Sequence, residues 1–125
     1  MLRQLNLTKD EPSAMPYFLA KLIPPRASFV QQMSTEEASL MRAHADYWIP
    51  HVNAGLVIAM GPVADPAGGY GVMIANAPSL VWLERVQADD PAIRAEVGFY
   101  FENFGMAALR VAPVEPLAPV SSVSP

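Results

Sequence analysis

No cysteine occurs anywhere in the chain. That excludes disulfides, thiolate catalysis and the common zinc sites together. It agrees with a cytoplasmic location, which is the expectation here. Charge is also scarce. Only 16% of the residues are charged, below the usual share of about a quarter. Lys and Arg together number eight against 12 acids, for a net charge of −4. With no basic cluster, nucleic acid is not an expected partner. No apolar run approaches the roughly 18–20 residues of a membrane helix, so no membrane partner is expected either. The opening MLRQLNLTKDEPSAM is polar and lacks the apolar stretch of a secretory signal.

What is abundant is apolar surface, at 52% of 125 residues. That length suits a single domain. A weakly charged chain of this size has an apolar face to cover, which points to a subunit interface.

Residues 1–15 read as a polar lead-in, 16–111 as the domain and 112–125 as a flexible tail rich in Pro, Ser and Val. PYFLAKLI (16–23) has the composition of a strand, closed by Pro24-Pro25. The stretch 24–33 is a loop whose Phe29 and Val30 are expected to tuck against the domain. Ser34 and Glu37 have capping-box spacing, and Leu40, Met41, His44, Tyr47, Trp48 and His51 follow at helical intervals. Pro50 is expected to kink or loosen the last turn, and Gly55 to end the helix. LVIAM (56–60) and GVMIA (71–75) read as strands of one hairpin. APSLVWLERVQ (77–87) reads as a helix, PAIRA (91–95) as a helical turn and EVGFYFENFGM (96–106) as a last strand.

The order is βαββαβ. It predicts an α+β, ferredoxin-like antiparallel sheet with two helices on one face. Strands apolar on both sides leave the other face to a second copy, so a homodimer of the α/β-barrel kind is expected.

Few residues can carry chemistry. Both histidines lie on the first helix. His44 shares a face with Trp48, four residues on, and suits proton transfer near neutral pH. From its spacing alone it reads first as a helix histidine with a satisfied hydrogen bond. His51 reads as a surface residue at the helix end, and two histidines seven apart do not make a metal site. The stretch GPVADPAGGYG (61–71) offers Asp65, either as an Asx-turn or as a carboxylate that orients His44. It lacks the spacing of a phosphate loop. Asp90, just before Pro91, reads foremost as the cap of the short helical turn.

These residues together resemble the YciI-like (YCII-related) proteins. The resemblance runs from about Tyr17 to Arg110 and is carried by MSTEEASLMRAHADYWIPHVNAGLVIAMGPVADPAGGYGV, then DDP, then GFYFENFGM. It is strongest to the branch with an H-x-x-Y-W helix and a G-P-V-x-D-P-x-G loop. The resemblance implies a ferredoxin-like domain that dimerises into an α/β barrel. It also implies a histidine–aspartate pair, with His44 as the histidine and Asp65, or else Asp90, as the acid. Asp65 comes first, because a loop beside the helix can bring it toward His44. Most such proteins have no known function, and at least one relative is similar to a dehydrochlorinase of chlorinated hydroxyquinols.

The expectation is therefore a small enzyme needing no cofactor, of lyase, isomerase or dehydrochlorinase type. It would act on a small, cyclic or aromatic organic molecule. His44 and Asp65 would be its acid/base pair, with no metal. Trp48, Phe29, Pro62 and Tyr70 would form apolar walls. The alternative is a dimer that binds a metabolite without turning it over.

Overall fold

A computed structural model describes residues 16–113. The lead-in at 1–15 and the tail from 114 onward lie outside the described residues. Four strands and three helices follow in the order β1 (Tyr17–Ile23), α1 (Thr35–Asn53), β2 (Val57–Val63), β3 (Tyr70–Asn76), α2 (Leu80–Ala88), α3 (Pro91–Arg94) and β4 (Tyr100–Gly105). The sheet is antiparallel throughout, with strand order β2-β3-β1-β4. This is the α+β, ferredoxin-like architecture that the element order predicts. No helix among the described residues is long and apolar enough to cross a membrane.

Alternation along β1 decides which face the helices cover. Phe18, Ala20 and Leu22 are buried, while the residues between them are only half-buried. Ala20 pairs with Met73 on one side and Asn103 on the other, and Leu22 with Gly71 and Phe101. Phe18, Ala75, Ala77 and Leu83 form one core cluster. Ala20, Trp48, Val57 and Met73 form a second, to which α1 contributes Trp48. Each large apolar side chain so buried contributes about 1.5–3 kcal/mol. On the opposite face, Leu19 lies level with Ile74 and Phe104 across three strands. Phe104 and Tyr100 remain half exposed there.

The start of α1 follows the sequence pattern. Ser34 Oγ accepts from the Glu37 N–H (3.1 Å), and Glu37 Oε1 accepts from the Ser34 N–H (2.9 Å). Pro50 sits inside the helix, which still runs to Asn53 before Gly55 turns at φ +83°. Pro50 has no N–H, but its carbonyl still accepts from the Ala54 N–H at the cap.

Three boundaries differ from the sequence expectation. Strand β2 does not stop at Gly61-Pro62 but runs to Val63. It is an edge strand, where a proline withholds no hydrogen bond from a neighbour. Helix α2 starts at Leu80 rather than 77, because Ala77 extends the sheet, donating to the Pro16 carbonyl, and Ser79 is the N-cap. Strand β4 starts at Tyr100 rather than 96. Glu96 and Gly98 take positive φ (55° and 112°), which breaks the extended backbone ahead of it.

Candidate active site

The stretch 24–33 crosses from β1 to α1 and covers one end of the space between α1 and the sheet. Two glycines let it come close. Gly68 has φ +147°, and a Cβ there would lie 3.2 Å from Ala27 Cβ. Gly98 has φ +112°, and a Cβ there would lie 2.9 Å from Pro25 Cβ. Gly68, in GPVADPAGGYG, thus serves packing as well as turning. Arg26 anchors the covering segment. Its guanidinium donates twice to Glu37 (2.7 and 2.9 Å) and once to the Gln32 carbonyl (2.7 Å). The Arg26 hydrogen bonds, first of all, and the Ser34 N–H hold the Glu37 carboxyl down to about 2. Phe29 is thereby buried edge-to-face against Phe99, with ring centroids 5.1 Å apart.

Beneath this cover is a cavity of about 340 Å³. Met41, His44 and Ala45 of α1 form one wall, and Ala20, Leu22, Met60 and Met73 of the sheet form the floor. Phe29, Met33, Pro62 and Phe99 close its sides. Three of the four expected wall residues, Phe29, Pro62 and Tyr70, do line it. Tyr70 does so at the start of β3, where the Lys21 ammonium stands over its ring, 4.5 Å from the centroid.

Trp48 is a correction. It is 1% exposed and does not line the cavity. Its ring packs in the core against Ala20, Val57 and Met73, and its Nε1–H donates to Asp90 Oδ2 at 2.7 Å. His51 is another. It is half-buried rather than a surface residue, with its ring about 5.2 Å from Trp48 and 5.3 Å from Tyr47.

The acid beside His44 is also corrected. His44 Nδ1 lies 2.7 Å from Asp90 Oδ2. Asp65 is exposed, and its Oδ1 accepts from the Ala67 N–H at 2.9 Å. That is an Asx-turn, which holds the side chain on its own loop. Asp90 is wholly buried. It caps α3 as its position before Pro91 predicts, with Oδ1 accepting from the Ala92 N–H at 2.8 Å. The second oxygen remains for His44 and Trp48. Capping and orienting a histidine are therefore compatible uses of one carboxylate.

Two fixed N–H donors, of Trp48 and Ala92, point at the Asp90 oxygens, which therefore act as acceptors toward them, and His44 Nδ1 lies beside Trp48 on the same Oδ2. An acceptor at Nδ1 keeps the proton of neutral His44 on that nitrogen. Nε2 is then the basic nitrogen of a residue that lines the cavity. The imidazole is only 14% exposed. Tyr47 braces the arrangement from α1, its hydroxyl donating to the Val86 carbonyl at 2.7 Å. Burial first, then the Asp89 and Asp90 charges, push the Tyr47 phenol up.

The i, i+4 spacing of His44 and Trp48 carried a signal that sequence reasoning did not use. Two ring N–H donors on one inward face require a buried acceptor.

Compared with known proteins, residues 8–103 match the model of the YCII-related domain. No curated protein and no solved structure matches the chain.

Proposed function

The chain belongs to the YCII-related family, and on that footing we propose that it is a cofactor-independent enzyme that moves a proton on a small organic molecule. His44 is the general acid/base. Asp90 is the residue that positions it. One observation carries this reading. A wholly buried carboxylate holds Nδ1 of a histidine that forms the wall of an apolar cavity.

The chemistry follows from that arrangement. A substrate in the cavity presents an acidic C–H or O–H to His44 Nε2. The imidazole takes the proton, and Asp90 balances the imidazolium charge without having to move. The electron pair left on the substrate either expels a leaving group or shifts along a conjugated system. In the second case His44 returns the proton at a neighbouring atom. Elimination and isomerisation are therefore the reaction classes. Apolar walls strengthen each electrostatic contact by excluding water.

The same reading includes a homodimer. Leu19, Ile74 and Phe104 line up across the face of the sheet that the helices leave open. A second copy packed sheet to sheet would bury that row.

Turnover of small cyclic, aromatic and lactone substrates, compared between the unaltered chain and His44→Ala, tests the proposal. Loss of turnover in the variant is expected. Equal rates remove His44 from the mechanism, and tight binding with no product by either protein favours a binding role instead.

A further inference from the structure

We infer that the cavity selects by charge: its ligand is an uncharged, largely unsaturated framework of one or two rings, and anionic analogues are rejected. This rests on the proposed function for the identity of the site and adds the class of molecule it takes.

Among the described residues, no Lys, Arg, Asp or Glu lines the cavity. Arg26 approaches it, with its guanidinium 5.3 Å from the Phe29 ring centroid. Its donors are already directed at Glu37 and the Gln32 carbonyl. Lys21 is not among the lining residues: it alternates away from Ala20 and Leu22, and its ammonium rests on the Tyr70 ring, 4.5 Å from the centroid. His44 could attract an anion only as an imidazolium, and Asp90 already neutralises that charge at 2.7 Å. A carboxylate or phosphate entering the cavity would lose its hydration and gain no cation in return. It would also approach a buried negative charge.

The walls narrow the class further. Met33, Met41, Met60 and Met73 all face the space. Thioethers adapt to the shape of a ligand and make favourable contacts with aromatic rings. Phe29 and Phe99 add ring surface. Among the described residues, the lining side chains with hydrogen-bonding groups are His44 and Tyr70. A polyhydroxylated ligand would leave most of its hydroxyls without partners. The volume, about 340 Å³, falls at the small end for a ligand site.

Calorimetry on the full chain at neutral pH, with naphthalene-2-carboxamide and naphthalene-2-carboxylate, tests the inference. The two probes match in shape and differ in charge. The amide is expected to bind at least about tenfold more tightly, since only the carboxylate must be buried as an ion. Met41→Lys, which sets an ammonium on the wall, is expected to reverse the order, with a thermal melt to establish that the variant is folded. Equal or tighter binding of the carboxylate by the unaltered chain overturns the inference, and so does binding of neither probe. The order of the two affinities tests charge selection alone. The effect of His44→Ala on turnover tests the catalytic reading, so the two can fail separately.

Discussion

Asp90→Asn leaves the shape of the side chain almost unchanged and replaces one oxygen by an NH2 group. Asp90 is wholly buried and takes three N–H donors on two oxygens: Ala92 on Oδ1, His44 and Trp48 on Oδ2. An amide cannot serve both sets. With its oxygen toward His44 and Trp48, the NH2 faces the Ala92 N–H. The cap of α3 is then lost, at a cost of about 0.5–2 kcal/mol. The two ring N–H bonds also lose their ionic assistance. With the amide reversed, His44 can change tautomer and accept from the NH2, but the Trp48 indole N–H cannot. A buried unsatisfied donor costs about 1–3 kcal/mol. Either orientation predicts a loss of about 2–3 kcal/mol, a fall in Tm of about 10–20 °C for a domain of this size. Urea and thermal unfolding measure it. Asp65→Asn is the matched control, expected within about 0.5 kcal/mol, because Asn forms the same turn on an exposed loop. A cost below about 1 kcal/mol for Asp90→Asn would refute the three-donor arrangement.

Other consequences follow from the cover and the sheet. The Glu37 carboxyl titrates at about 2 when folded, below its ordinary 4.5. The stabilisation from its pairing with Arg26 is therefore complete above about pH 4.5 and is lost as pH falls toward 2. Hydrogen-exchange protection factors of the 24–33 segment, taken relative to the unfolded chain at each pH, should fall across that window, and Glu37→Gln should lower them already at pH 7. Gly98→Ala should destabilise the domain by about 1–3 kcal/mol in urea unfolding, since an L side chain at φ +112° is strained and meets Pro25. Phe104→Lys, on the open face of the sheet, should abolish the proposed dimer in light scattering at micromolar concentration while leaving the far-ultraviolet dichroism intact. A stable monomer of the unaltered chain counts against the dimer itself.

Much of the fold was legible because its signals are local. The buried alternation of Phe18, Ala20 and Leu22 identifies β1, and the Ser34–Glu37 box fixes the start of α1 to the residue. The misplaced boundaries depend on tertiary position. Pro62 stays in a strand only because β2 is at an edge, and an order of strands cannot be read from one strand's composition. Tyr100 begins β4 because Glu96 and Gly98 turn the chain first.

The site was legible in part for the same reason. His44 stands on the helix face toward the sheet, as its spacing predicts. Phe29 and Pro62 reach the cavity. The choice between two aspartates required a contact across 46 residues of chain. Asp65 has a complete local explanation in its turn. Asp90 has one too, as a cap, but a cap needs only one of its two oxygens. Trp48 shares a helix face with His44, as its spacing predicts, but its indole is buried in the core with its N–H on Asp90, a contact that local spacing does not reveal.

The tautomer of His44, read from its imidazole nitrogen shifts by NMR, tests the His44–Asp90 pairing most directly. The neutral ring is expected to carry its proton on Nδ1 in the unaltered chain and in Asp65→Asn, and to lose that preference in Asp90→Asn. A tautomer that changes with Asp65→Asn and not with Asp90→Asn would contradict the pairing.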